Sequence, residues 1–140
     1  MLFDSAGKGE RIPMAQNAHD LIVWQRAIEL TVCIYKLTRS FPKDELYGLT
    51  SQMRRASVSV ASNIAEGRGR LNPAEFCQFL GISQGSISEL KTQILVAGRR
   101  GMGDDSAIRE AQSLSEEVSK MLASFIEKLR PAQKKLKAES

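Results

Sequence analysis

The sequence predicts an all-α protein, an antiparallel up-down-up-down four-helix bundle. Three observations carry this. Apolar residues recur at steps of three and four in four separate stretches. Turn and cap residues fall between those stretches. No segment alternates with period two for long enough to be a strand.

Residues 1–18 hold Gly7, Gly9 and Pro13 and show no periodicity, so they read as a flexible N-terminal tail, with Met14 an alternative start. The bundle occupies 19–130. Its first helix is expected from Asp20, an N-cap candidate, to Arg39. Trp24, Ala27, Ile28, Thr31, Ile34 and Tyr35 form one stripe, and Val23, Leu30 and Leu37 a second, an arc wider than a surface helix of a two-layer fold needs. Phe41-Pro42 closes it, because proline disfavours helical geometry in the residue before it. The second helix is expected from Asp44 to Glu66, with Leu46, Leu49, Met53, Ala56, Val60 and Ile64 inward and Gly67 as a left-handed cap. Its remaining surface is small, hydroxylic and arginine-bearing, which suggests packing on more than one side.

Asn72-Pro73-Ala74-Glu75 opens the third helix: a capping side chain, a proline suited to the first turn, and an acid placed to answer the cap. Its seam runs from Phe76 to Ala97. A second stripe of Cys77, Gly81, Gly85 and Ser88 suggests the close approach of another backbone, since each internal glycine costs roughly 1 kcal/mol against alanine. Gly98, Gly101 and Gly103 break the pattern. The fourth helix follows Asp104-Asp105-Ser106 and is expected to stop at Pro131, before a basic disordered tail over 131–140.

Composition and missing motifs exclude most chemistry. The only histidine is His19, which with Cys33 and Cys77 has the wrong spacing and count for zinc. Neither cysteine has a neighbouring base, and both read as small buried residues in a reducing cytoplasmic setting. Gly67-Arg68-Gly69 is too short to cradle a phosphate. No apolar run is long enough to span a membrane. The expectation is a non-enzymatic protein with no metal or cofactor.

Charge is the remaining signal. From Arg26 to Arg100 there are eleven basic and six acidic residues, net +5; from Gly101 to Leu129 there are three and six, net −3. Arg54, Arg68, Arg70, Arg99 and Arg100 are the candidates for phosphate contact. In the expected bundle, Arg68 and Arg70 share one end, while Arg99 and Arg100 lie at the other with Lys36, Arg39 and Lys43. The same cations also fit plain solvated helix ends. Base-reading motifs and stacking aromatics are lacking, so sequence-specific readout is not expected. Arg55, Ser59, Asn63, Glu66 and Glu89 read as a structural polar network, with Arg55 expected to pair with Glu89 on the next helix.

Asp20-Leu-Ile-Val-Trp24-Gln25, Phe41-Pro42-Lys43-Asp44-Glu45, Tyr47-Gly48-Leu49-Thr50-Ser51-Gln52, Arg54-Arg55-Ala56, Ser62-Asn63-Ile64-Ala65-Glu66-Gly67 and Ser88-Glu89-Leu90 follow one another in order. In these runs, from residue 19 to 129, the chain resembles the four-helix proteins encoded within intervening sequences of bacterial 23S ribosomal RNA genes. It is also similar to the related accessory variability determinant of diversity-generating retroelements. Ala61 departs from that pattern, where proline is frequent, and implies a straighter second helix. The resemblance implies a ring-like homo-oligomer, a homopentamer around a central channel. It further implies a non-enzymatic adaptor role, with RNA or a reverse transcriptase as partner. A protein-interaction scaffold without nucleic-acid contact is the alternative.

Overall fold

The computed structural model describes the backbone of residues 18–139 and the side chains of 22–130. The described residues form four long helices and no strand: α1 (Ala18–Thr38), α2 (Ser51–Arg68), α3 (Pro73–Arg99) and α4 (Asp105–Glu139). A 3₁₀ turn (Lys43–Glu45) and a wide π turn (Leu46–Thr50) join α1 to α2. Consecutive helices pack on each other, and α1 also packs on α4.

Leu30, Ile34, Met53, Ile64, Leu80 and Leu122 are among the side chains enclosed between the helices. Each belongs to a stripe read from the sequence, so helical periodicity alone selects the buried face. Polar bonds tie the layers in register. Thr31 Oγ1 donates to the Ser57 carbonyl at 3.0 Å across α1 and α2, and Ser83 Oγ to the Val60 carbonyl at 2.8 Å across α2 and α3. The acidic α4 meets cations of its two neighbours: Arg26 grips both carboxylate oxygens of Glu117 at 2.7 and 2.6 Å, and Lys91 Nζ lies 2.9 Å from Glu116. The sign change along the sequence thus becomes interhelical pairing.

Several boundaries differ from expectation. Asp20 lies inside α1 rather than capping it. The second helix starts at Ser51, not Asp44. Glu45 Oε1 accepts the Leu49 N–H at 3.1 Å, and Gly48 leaves helical geometry at φ −110°, ψ −116°. A side chain that takes a backbone donor competes with the helix ladder. Gly67 is not a left-handed cap, because among the described residues φ is positive only at Gly101 and Gly103. It lies buried within α2, where a Cβ would come within 2.8 Å of both Phe76 Cδ1 and Phe79 Cβ. Proximity of α3, not a turn, requires glycine there. Conversely, Gly81 and Gly85 are exposed with nothing within 4 Å, so no described backbone approaches them. The backbone of α4 continues through Pro131, which forfeits one ladder bond without ending the helix. The N-terminal tail over 1–17 lies outside the described residues.

The expected α3 cap is present. Asn72 Oδ1 accepts the Glu75 N–H at 2.9 Å, and Asn72 Nδ2 donates to the Glu75 carboxylate at 2.8 Å.

Candidate nucleic-acid interface

The five candidate arginines do not form one patch. Arg68 and Arg70 lie where α2 turns into α3, and Arg99 and Arg100 where α3 turns into α4. The 27-residue α3 separates the two sets by about 40 Å at 1.5 Å per residue.

The five also differ in how far they are already engaged. Arg54 donates from Nε to Thr38 Oγ1 at 2.9 Å, and its guanidinium lies 4.8 Å from the centre of the Tyr35 ring, so it is half-occupied in joining α2 to α1. Arg70 pairs with Glu66 at 3.1 Å and lies 4.8 Å over Phe79. Arg68 is half-buried. Arg100 donates to Glu45 at 2.7 Å. Arg99 is exposed and makes no hydrogen bond or ion pair among the described residues.

Glu45 joins the two turns at the Arg99 end. One carboxylate oxygen caps Leu49 and the other takes Arg100, which fixes the α1–α2 turn against the α3–α4 turn. The Arg100 guanidinium and the Leu49 amide hold the Glu45 carboxyl below its ordinary range. Gly103 completes the junction: its φ of +78° suits glycine, and a Cβ there would come within 2.7 Å of Leu37 Cδ1. The Asp104 carboxyl is also held below its ordinary range, by the Ser106 hydroxyl and the Ala107 amide and in smaller part by the charge of Arg109.

Around this junction Arg39, Lys43, Arg99 and Arg109 are exposed and make no ion pair among the described residues. Arg99 and Arg109 line one shallow groove with Asp105, Ile108 and Gln112. Asp44, Asp104, Asp105 and Glu110 are the exposed acids nearby. The sequence reading missed Arg109, which belongs to the acidic fourth helix and meets Arg99 only through the fold.

The polar network is partly realised. Asn63 Nδ2 donates to the Ser59 carbonyl at 2.8 Å and to Ser59 Oγ at 3.1 Å, and Ser59 meets Ser86 at 2.8 Å. Ser86 replaces Glu89 as the contact on α3. Arg55 and Glu89 border the same cleft, of about 190 Å³, but do not form the expected ion pair; both are exposed. Glu66 turns away to Arg70. Hydroxyls reach across the helix pair where the longer charged side chains extend into water.

Two features bear on chemistry. Burial raises both the Cys33 and the Cys77 thiol, which keeps them protonated and slow to react. No group of three metal-ligating side chains occurs among the described residues. No described helix is long and apolar enough to cross a membrane.

Both tyrosines lie at the surface. Tyr35 is 41% exposed and Tyr47 92%, although aromatic residues in a helical pattern read as core.

The fold is similar to that of a crystal structure from Bacteroides thetaiotaomicron, described as a protein with unknown function from the S23 ribosomal protein family. The TM-score is 0.72 at 22% identity, over 78% of this chain and 98% of that one. A comparison with curated proteins gave no match. The model of the 23S rRNA-intervening sequence protein family matches residues 19–124, three quarters of the chain, in the same segment that holds the four packed helices and the arginine-bearing turns; the protein belongs to that family.

Proposed function

We propose that this protein is a non-enzymatic, oligomeric adaptor that binds RNA, or an RNA–protein partner such as a reverse transcriptase, through the end formed by the α1–α2 and α3–α4 turns. One observation carries this reading. Arg39, Lys43, Arg99 and Arg109 are exposed there without ion pairs among the described residues, while Glu45 and Asp104 are occupied by internal bonds. Exposed cations without ion pairs suit a phosphate backbone, which gains affinity by counterion release; a strand there must avoid the exposed acids Asp44, Asp104, Asp105 and Glu110. Of the residues nominated from the sequence, Arg99 is the primary contact. Arg54, Arg68, Arg70 and Arg100 are secondary contacts, since their internal bonds must be shared or exchanged.

The order of contacts along the helices supports an up-down-up-down bundle. On α2 and α3, residues 59, 60 and 67 meet 86, 83 and 76 respectively, rising on one helix as they fall on the other. A ring-like homopentamer is part of the proposal. The outer side of α3 supports it, with Gly81 and Gly85 open beside exposed Ile82, Leu95 and Val96. Five chains of 15.5 kDa would scatter light as about 78 kDa. The free thiols fit a cytoplasmic protein.

Charge reversal tests the reading. Arg99→Glu with Arg109→Glu should lower affinity for a ribosomal RNA stem-loop at least tenfold and reduce the salt slope by about 2 if both contact duplex phosphates. RNA binding unchanged by the double reversal would place the contact away from this end, and a wild type that binds no RNA would favour the second reading, a protein-interaction scaffold. The same exposed apolar side of α3 supports that alternative.

A further inference from the structure

We propose that Tyr47 is a stacking platform for an unpaired base, so that the RNA bound at this end has exposed nucleotides, in a loop or bulge, rather than being an uninterrupted duplex. The inference rests on the RNA reading above and narrows its ligand.

Tyr47 is 92% exposed, whereas Trp24, Phe41, Phe76 and Phe125 are buried. Tyr35, the other tyrosine, already carries a guanidinium over its ring. The Tyr47 ring has no such partner among the described residues. Leaving a large ring in water forgoes burial that would ordinarily favour folding it inward.

The turn that presents this ring is held on both sides. Glu45 Oε1 accepts the Leu49 N–H and Oε2 accepts Arg100 Nη1, while Gly48 leaves helical geometry between Tyr47 and Leu49. A Cβ at Gly48 would lie 2.8 Å from Glu45 Oε1, an atom that its hydrogen bond pins. The outward position of Tyr47 is therefore set by a bonded turn.

The surroundings favour a base over a protein pocket. Leu46 is the other exposed large apolar side chain in the same turn, with Leu49 partly buried, beside the charged Lys43 and Asp44. Anchors in protein interfaces sit at the centre of a closely packed apolar patch. A base needs one ring face and a cation within reach of its phosphate. Lys43 belongs to the same connection, and Arg99 adjoins Arg100, which is bonded to that connection through Glu45. Within this connection Asp44 is the acid that a strand must avoid, Glu45 being occupied.

The test compares full-length wild type, Tyr47→Ala, Tyr47→Phe and Tyr47→Trp. Fluorescence anisotropy would measure binding to a hairpin with a single-stranded loop and to a blunt duplex of the same stem. Tyr47→Ala should weaken hairpin binding by about 5- to 150-fold, leave duplex binding unchanged and keep the oligomer size seen by light scattering. Phenylalanine and tryptophan should restore hairpin binding. Equal hairpin affinity for wild type and Tyr47→Ala would overturn this inference and leave the RNA reading standing. A wild type that binds neither RNA would overturn both. An altered oligomer with equal losses on both RNAs would make Tyr47 an assembly contact and overturn the stacking role.

Discussion

Glu45 shows how much one carboxylate can organise. It closes the α1–α2 turn, ties that turn to Arg100 and supports the bend that exposes Tyr47. Because its folded pKa lies below the ordinary value of 4.5, its contribution to stability is present above that pH and is lost as the pH falls through the depressed value. Glu45→Gln should therefore be less stable than wild type near neutrality, and the difference should shrink in urea denaturation curves as pH drops below about 4.5. Parallel stability curves from pH 7 to about 3 would show that the Glu45 charge contributes nothing to the folded state. None of this was visible in the sequence. Glu45 looked like a first-turn acid of α2, because a carboxylate capping its own turn and one facing solvent have the same local sequence. The Asn72–Glu75 cap was legible because both partners lie within four residues. Arg55 and Glu89 were misjudged for the converse reason. Their separation depends on side-chain direction across two helices, and short Ser59 and Ser86 take the contact instead.

The helices themselves were legible, since a stripe of apolar side chains at helical spacing must be covered. Their glycines were not, because close approach, turn and open surface all admit glycine. Gly67 and Gly85 make the contrast measurable. Gly67→Ala should destabilise the fold by roughly 1–3 kcal/mol, because the new methyl overlaps Phe76 and Phe79. Gly85→Ala should stabilise an isolated subunit by about 0.5–1 kcal/mol, through lower unfolded-state entropy with no clash. Chemical denaturation of both variants decides this. If Gly85→Ala instead destabilises and reduces the mass seen by light scattering, the open stripe on α3 is a subunit contact. The α4 boundary was misread for a different reason: proline reports a lost bond and a restricted predecessor, and a helix can continue past both.

For the whole molecule, family membership and the four-helix core give the framework, and the proposed function rests on how charge is distributed over it. Acidic α4 neutralises cations of α1 and α3 along its length through Glu117 and Glu116. At the Arg99 end, exposed cations without ion pairs among the described residues stand among exposed acids, and the proposed RNA contact rests on those cations. The sequence showed a basic excess and nominated Arg99, but it could not bring Arg109 beside it or separate free arginines from engaged ones, because ion pairing between distant residues is a property of the packed helices. The most direct test is a titration of the purified protein with a ribosomal RNA stem-loop across a series of salt concentrations. Affinity should fall linearly in logarithmic terms, by about 0.9 for each duplex phosphate neutralised and hence with a slope of at least about 2 for Arg99 and Arg109. An absence of binding at low salt, or an affinity that does not change with salt, would contradict the account.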